Sequence, residues 1–305
     1  MSGATGAGKY AVTARFHQPA PVLRDYFAYY FLIETACAED EALIDHIPPE
    51  WATLRFCSGA LPEVSLGPDA TLAGTDFVVT GPCSHAARFT VGRSRQWGIR
   101  LLPLGWAQFV ADSAAPFANR PVNGRADPAF ARFRPLADTL FDGRLDADAE
   151  ARRIDAFFLA GFRPAIANHH RIAAIHAAML DENVSSVAGL AARAGIDKRT
   201  VERICKRVFG FPPKLLLRRE RFVRSLQQFM LDPSLKWIGA MDALYHDQAQ
   251  FVREFRQFMG MTPSRYASLE KPIIGPVTLE RNRYALRTRQ VYVDEDGWIR
   301  SGPLG

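Results

Sequence analysis

Two similar stretches, FGFPP at residues 209–213 and MGMTP at residues 259–263, lie 50 residues apart in the chain. The similarity continues upstream, and the matched pairs are Val201 with Phe251, Arg203 with Arg253, Lys206 with Arg256, Gly210 with Gly260, and Pro213 with Pro263. Apolar residues match apolar residues and cations match cations. Such a pattern predicts one small structural unit that occurs twice.

Helical patterns surround both copies of this unit. We expect helices at residues 169–182, 185–195, 197–210, 214–231, 235–246, 247–260 and 262–270. The second of these helices begins at a Ser N-cap and ends at Gly195, and the third begins at Asp197 and ends at Gly210, as capping preferences require. The order is therefore a helix, a helix-turn-helix, a long helix, a second helix-turn-helix and a final helix.

The second helix of a helix-turn-helix needs an apolar face against the first helix and an outer face that reaches base edges. Candidate base-reading residues on the outer faces are Arg199, Glu202, Arg203, Gln248, Gln250 and Arg253. An Arg side chain donates hydrogen bonds to guanine O6 and N7, a Gln side chain pairs with adenine N6 and N7, and a Glu carboxylate accepts from cytosine N4. Further cations are better placed for phosphates, which position a protein without reading sequence. These candidates are Lys198, Lys206, Arg207, Arg218, Arg219 and Arg256.

Positive charge is concentrated in the repeated region. Residues 168–270 hold 16 Lys and Arg against 10 Asp and Glu, an excess equal to the net charge of +6 on the whole chain. Residues 198–224 are denser still, with ten basic and two acidic residues. A local basic cluster indicates a polyanionic partner, although a solvated basic face gives the same count.

Two stretches of the helical region resemble a known protein family. The stretches SVAGLAARAGIDKRTVERICKRVFGFPPKLLLRRERF and DALYHDQAQFVREFRQFMGMTPSRY resemble the DNA-binding domain of AraC/XylS-type transcription regulators. The resemblance implies that two helix-turn-helix units read successive major-groove segments, and it adds Ala249 to the base-facing positions. Double-stranded DNA is the partner it implies. A small-molecule effector, RNA polymerase and a second copy of the chain are further candidate partners.

The N-terminal half reads differently. Short apolar runs at residues 52–56, 76–80, 87–91 and 97–102 alternate with Gly and Pro, which predicts a β-sandwich or barrel. Helical patterns follow at residues 105–118, 127–141 and 146–160. This half is similar to the sensor-type domains attached to such regulators, and such domains often bind an effector or dimerise.

The expected architecture is α+β. We expect a β-rich sensor or dimerisation domain at 1–165, an all-α domain with two helix-turn-helix motifs at 166–270, and a tail of unassigned role at 271–305 with a hairpin at 291–300. No apolar run is long enough to span a membrane and no secretory signal is visible, so we expect a cytoplasmic protein. No cofactor is expected.

Alternatives stay open for the N-terminal half. Cys37, His46, Cys57, Cys83 and His85 would form a metal or thiol sensor if the strands gathered them, although their spacing fits no familiar zinc pattern. An enzyme with a β-barrel domain that the helices target to DNA is one alternative, and an architectural DNA binder is another. The segment GATGAGK at residues 3–9 lacks the strand and the Ser or Thr of a phosphate-binding loop. Since no catalytic arrangement emerges, we expect a regulator and not an enzyme.

Overall fold

A computed structural model of the chain describes residues 10–67, 70–110, 112–143, 146–163, 166–232, 239, 241, 245 and 247–289. The N-terminal half forms two antiparallel sheets with helices against one of them, and the C-terminal half is helical. This confirms the expected α+β class. Within the described ranges, no helix combines the length and the apolar character needed to cross a bilayer.

Two antiparallel sheets make up the β-rich part. The strands are β1 (Tyr10–His17), β2 (Phe27–Cys37), β3 (Leu43–Ile47), β4 (Thr53–Gly59), β5 (Glu63–Leu66), β6 (Ala70–Leu72), β7 (Phe77–Thr80), β8 (Ala87–Val91), β9 (Ser94–Leu101) and β10 (Pro121–Asn123). One sheet has the order β1-β2-β9-β4-β7-β10 and the other has the order β3-β8-β5-β6. The four expected strand runs correspond to β4, β7, β8 and β9.

The α-helices continue along the chain. They are α1 (Pro103–Phe109), α2 (Arg134–Thr139), α3 (Ala147–Ala160), α4 (His169–Leu180), α5 (Val187–Ala194), α6 (Lys198–Ile204), α7 (Pro213–Leu231), α8 (Gln248–Met259), α9 (Pro263–Ser268) and α10 (Ile274–Arg289). Short 3₁₀ turns occur at Pro21–Leu23, Ala115–Phe117 and Pro128–Phe133. The long helix α7 joins α5–α6 to the second unit around α8.

Strand β9 shows how the larger sheet separates two environments. Successive side chains on a strand point to opposite faces. Trp97, Ile99 and Leu101 enter the main hydrophobic core, which the helices cover. Gln96 and Arg100, on the opposite face, line a cavity between the two sheets.

The main hydrophobic core does not end with the N-terminal half. It runs from Leu23 through Phe158 to Ile172, Leu190 and Leu217, and so includes α4, α5, α6 and the start of α7. A separate cluster, centred on Phe222, Phe255 and Phe258, packs helices α8 and α9 against α7. The first unit is therefore packed into the core of the β-rich part. The expected division at residues 165/166 stays a prediction.

Several sequence expectations need correction. Strands β1, β2 and β3 were not expected. The predicted helix at 105–118 ends at Phe109, and a 3₁₀ turn at Ala115–Phe117 follows. The predicted helix at 127–141 is likewise a 3₁₀ turn followed by α2, and each of these turns contains a Pro near its start, where that residue is tolerated.

The tail contains helix α10, which packs on β1, β3 and α7. Asp45 holds its beginning, because the buried Oδ2 atom accepts hydrogen bonds from the backbone N–H groups of Ile273 (2.8 Å) and Ile274 (2.7 Å). The tail therefore returns to the β-rich part. The predicted hairpin at 291–300 and most of the predicted helix at 235–246 lie outside the described residues.

Candidate nucleic-acid interface

The first helix-turn-helix unit, α5 and α6, has the caps that its sequence predicts. Ser186 Oγ accepts a hydrogen bond from the backbone N–H of Gly189 (3.0 Å) at the start of α5. Gly195 ends this helix with φ +66°, a left-handed conformation that favours glycine. Asp197 Oδ1 then accepts from the N–H of Thr200 (2.9 Å) and starts α6. These caps set the angle at which the second helix leaves the turn.

Helix α6 separates apolar and polar residues as a recognition helix must. Val201 and Ile204 are buried against Leu190 and the main core. On the outer face, the side chains of Lys198, Arg199, Glu202 and Arg203 are exposed. The first group of predicted base-reading residues therefore lies together on one accessible surface.

The end of this recognition helix differs from the expected α-helix. Cys205–Phe209 wind as a π-helical turn, which changes the angular position of the side chains that follow Ile204. Lys206 and Arg207 stay exposed. The carbonyl oxygen of Arg207 accepts a hydrogen bond from Ala114 N (2.7 Å), and Phe209 packs against Trp51 at 5.8 Å between ring centroids. Contacts with the β-rich part thus accompany the altered winding.

The second unit repeats the arrangement on helix α8. Asp247 Oδ1 accepts a hydrogen bond from Gln250 N (2.6 Å) and begins the helix, while Phe251, Phe255 and Phe258 are buried inside the unit. The predicted outer residues Gln248, Ala249, Arg253 and Arg256 are exposed, and Gln250 is half-buried. This is the face that the sequence predicts for base contacts.

A buried carboxylate that the sequence analysis missed holds α8 to the connecting helix. Glu254 Oε1 accepts hydrogen bonds from Arg218 Nε (2.8 Å) and Arg221 Nη2 (2.9 Å), and Glu254 Oε2 accepts from the Tyr245 hydroxyl (2.9 Å). Burial, together with the charge of Glu254, raises the pKa of Tyr245, so this hydroxyl stays protonated and donates. The sequence does contain an indication of this role. Glu254 follows Phe251 by three residues, and this spacing places the carboxylate beside the apolar face of α8.

One predicted phosphate contact is wrong. Arg219 is 1% exposed, and its guanidinium lies 3.9 Å from the centre of the Trp51 ring. It donates to Glu220 Oε1 (2.6 and 3.0 Å) and to the carbonyl of Cys83 (3.3 Å). A phosphate cannot reach a side chain so enclosed. Arg219 joins α7 to the β-rich part instead, whereas its neighbour Arg218 is 34% exposed and also donates to Gln257 (2.6 Å).

A groove between the two units brings together cations that the sequence analysis did not select. It has a volume of about 750 Å³ and lies between the start of α5, the first half of α7 and the outer side of α8. Lys214, Arg221 and Arg224 line it beside Arg218 and Arg253. Lys214, Arg218 and Arg221 are three or four residues apart in the sequence, and this spacing indicates that they share one face of the helix.

The suggested metal or thiol sensor finds no support in the geometry. In the described part of the chain, no three His, Cys, Asp or Glu side chains gather closely enough to hold a metal ion. Cys37, Cys57, Cys83 and Cys205 are free and buried. Burial raises the pKa of both Cys57 and Cys83 to about 12, which keeps these thiols protonated and unreactive. The candidate phosphate loop at residues 3–9 lies outside the described residues.

The capped helix-turn-helix of α5 and α6 and the second capped helix α8, each with a polar outer face, are the features of a DNA-binding domain of the transcription-regulator class. Comparison with known families agrees, because residues 190–268 match the family model described as a helix-turn-helix domain. This part of the chain is an AraC-type helix-turn-helix domain, as the resemblance predicted. No curated protein matches the chain.

Solved structures show only weak overall likeness. ToxT from Vibrio cholerae O395 is similar at 8% identity and a TM-score of 0.40, over 85% of this chain and 97% of ToxT. Wild-type ToxT from Vibrio cholerae strain SCE256, bound to an unsaturated fatty acid, is similar at 9% identity and a TM-score of 0.40, over 88% of this chain and 97% of that chain. The AraC-like transcriptional activator CuxR gives 10% identity and a TM-score of 0.26, over 70% of this chain and 86% of CuxR.

Proposed function

We propose that the protein is a sequence-specific DNA-binding transcription regulator that reads two successive major-groove segments. The observation that carries this proposal is the repeated pair of capped helices α6 and α8, each with its apolar side buried and its polar side exposed. Base edges would be read by Arg199, Glu202 and Arg203 on α6 and by Gln248, Ala249, Gln250 and Arg253 on α8.

Backbone contacts would come from cations beside these helices. Lys198, Lys206, Arg207 and Arg256 are exposed, and Arg218 is half-buried at the groove between the units. The groove cations Lys214, Arg221 and Arg224 extend this surface between the two recognition helices. Phosphates that cross from one major-groove segment to the next meet positive charge there, which favours binding without adding sequence information.

The β-rich part is proposed to modulate DNA binding, and its direct contacts with both recognition helices support this. Just after the first recognition helix, the carbonyl oxygen of Arg207 accepts a hydrogen bond from the backbone N–H of Ala114. Near the end of α8, the Phe258 carbonyl accepts a hydrogen bond from Ala86 N (2.7 Å). A shift in the β-rich part would therefore change the relative position of α6 and α8. A DNA site whose two half-sites have a fixed spacing requires one fixed distance between α6 and α8, so its affinity for the protein would change with that distance.

Selection of genomic DNA fragments by the purified protein at physiological salt tests this function. We expect an enriched motif of two short half-sites about one helical turn apart. Equal retention of unrelated duplexes, with affinity that falls steeply in salt, would instead establish an architectural binder. A protein that binds no DNA would contradict the proposal and favour the enzyme alternative.

Several expectations have no counterpart in the described residues and stay predictions. They are binding to RNA polymerase, formation of a homodimer, location in the cytoplasm and the lack of an enzymatic activity. The domain division at 1–165, 166–270 and 271–305 belongs with them. A small-molecule effector is a further prediction of this kind.

A further inference from the structure

Two loops of the β-rich part contact the ends of both recognition helices. Residues 81–86 follow β7 and residues 114–120 precede β10, and we name the two loops together the bridge. Strands β7 and β10 pair antiparallel, with Thr80 opposite Pro121. The backbone N–H of Gly81 extends this pairing by donating to the carbonyl of Arg120 (3.3 Å). The two loops therefore leave one strand pair at the same end.

Each loop of the bridge donates one backbone hydrogen bond to a recognition helix. Ala114 N donates to the Arg207 carbonyl (2.7 Å) just after α6, and Ala86 N donates to the Phe258 carbonyl (2.7 Å) near the end of α8. Ala86 also packs against the cluster that contains Phe255 and Phe258. Carbonyls in the last turn of a helix have no donor within the helix, so these bonds satisfy open groups. The bridge thus holds both helices at their C-terminal ends.

The end of the first unit touches both loops at once. A Cβ on Gly210, which follows the π-helical turn, would lie 3.2 Å from Pro82 in one loop and 3.5 Å from Ala118 in the other. Close packing of this kind leaves little room for one loop to move without the other. The place of the first unit therefore depends on how the two loops are joined.

Asn119 joins the two loops. Its backbone N–H donates to the Pro82 carbonyl (3.0 Å), its Oδ1 accepts from Ser84 N (2.7 Å), and its Nδ2 donates to Ser84 Oγ (2.9 Å). Ser84 is buried, and a buried N–H that loses its acceptor is costly. Asn119 has φ +55°, a left-handed conformation in which asparagine is enriched among residues other than glycine.

We propose that Asn119 is a positioning residue that sets the spacing of the two DNA half-sites. It ties the loop that holds the end of α6 to the loop that holds the end of α8. The predicted base-reading residues lie toward the N-terminal halves of these helices, so a small tilt at the C-terminal ends moves them by a larger distance. The consequence for DNA rests on the function proposed above, whereas the tie between the helices is a property of the protein alone.

Helix α7 is a second connection between the same two helices. Its first turns belong to the main core, and its Arg218 and Arg221 bind Glu254 of α8. A single connecting helix restrains the distance between two units better than it restrains their relative tilt. The bridge adds contacts at a different place, and the two connections together restrain both quantities.

The tie is tested first in the full chain without DNA, by pulsed electron resonance between two spin labels. Glu202→Cys and Ala249→Cys supply labelling sites on the exposed faces of α6 and α8, and the four native cysteines are buried. We expect one narrow distance distribution in the labelled parent. Asn119→Gly should broaden it, because glycine accepts the same backbone conformation and only the side chain is lost. A broad distribution in the parent, or an unchanged one in N119G, would overturn the proposal.

Two further variants separate the tie from general stability. Asn168→Gly is the matched control, since Asn168 also has positive φ (+62°) but lies at the start of α4, and it should keep the narrow distribution. Asn119→Asp retains an oxygen that accepts from Ser84 N and should keep it as well. Melting temperatures verify that each variant is folded. Equal broadening in N119D and N119G, or in N168G and N119G, would refute the role of the Ser84 bonds.

Half-site spacing is measured with unlabelled protein on a duplex recovered from the fragment selection. One base pair added between the half-sites rotates the second by about 35°. We expect this change to raise the Kd about tenfold or more for the wild type and N168G, and less than about threefold for N119G.

Equal discrimination by N119G and the wild type would overturn the role in spacing, even if the spin-label distances differ. If no duplex is recovered, the function proposed above fails and the role in spacing fails with it. The spin-label distances then still decide whether Asn119 ties the two helices together.

Discussion

At the scale of single residues, burial decides what each arginine of α7 does. Arg218 and Arg219 are adjacent and identical in type, yet one is half-buried at the groove and the other is enclosed over Trp51. Arg221 lies one turn further along and bonds to the buried Glu254. A buried cation needs a buried partner, so Arg219 and Arg221 pair with Glu220 and Glu254, whereas Arg218 stays partly exposed at the groove.

Arg253→Ala tests direct base reading. Arg253 is exposed early on α8. Its removal should cost about 1–3 kcal/mol on the selected site and relax one base position. Arg256→Ala, on the same helix, is the control and should weaken binding to all duplexes alike. Binding curves on specific and random DNA measure both, and an equal loss on random DNA with Arg253→Ala would contradict base reading.

Glu254→Gln tests the buried carboxylate. The change removes the charge that two arginines share inside the second unit, and we expect a loss of about 3 kcal/mol in the free energy of unfolding. Glu202→Gln, which changes an exposed residue of α6, should alter stability by less than about 0.5 kcal/mol. Urea unfolding measures both. Equal stability of the two variants would show that Glu254 does not support α8.

At the scale of elements, helix α10 shows how a segment outside the repeat is held in place. Its first backbone N–H groups meet the buried Asp45 carboxylate of β3, and its length lies over β1 and α7. Hydrogen bonds to Asp45 satisfy N–H groups that any helix start leaves without partners. Because α10 also forms one wall of the cavity, its attachment and the shape of the cavity depend on each other.

Asp45→Ala should detach the start of α10. Three backbone N–H groups would lose their acceptor, those of Ile273 and Ile274 in a buried position and that of His46 in a partly buried one, at a cost of about 3 kcal/mol. Asp146→Ala, which removes the exposed cap of α3, should cost about 1 kcal/mol. Urea unfolding gives the two values. Faster hydrogen exchange in α10 should appear in the first variant alone, and its absence there would argue against the anchoring role.

At the scale of the whole molecule, the two halves share a polar and aromatic contact around Trp51. Its ring lies between Arg219, Phe209 and His176, while the next residue back, Glu50, reaches into the cavity. His176 is enclosed here, and its Nε2 has no hydrogen-bond partner in the described part of the chain. Burial, with a smaller effect from Arg219, lowers the pKa of His176 to about 4. The contact around Trp51 therefore stabilises the neutral form of the His176 imidazole.

The low pKa of His176 predicts a pH dependence of stability. Its pKa in the folded protein is below its ordinary value of 6.5, so its contribution is complete above pH 6.5 and is lost as the pH falls toward about 4. The full loss is about 3 kcal/mol. His176→Gln should flatten this part of the pH profile of unfolding, whereas exposed His170→Gln should leave it unchanged. Parallel profiles for H176Q and the wild type would contradict the prediction.

The repeat, its caps and its polar faces were determined by the sequence alone. Gly210 and Gly260 both adopt the left-handed conformation expected of a helix stop, with φ +83° and +69°. Asp197, Ser186 and the apolar stripe of α8 act as predicted. These features depend on residues a few positions apart, so local chemistry is sufficient to fix them.

What the tertiary structure decided depends on residues far apart in the chain. A Cβ on Gly210 would lie 3.2 Å from Pro82, whereas one on Gly260 would meet nothing within 4 Å. The two glycines have the same local pattern but different surroundings, and among the described residues the main core includes the first unit and not α8. The burial of Arg219, the place of α10 and the cavity beside Arg100 arise in the same way, because each depends on which distant surface the fold brings against it.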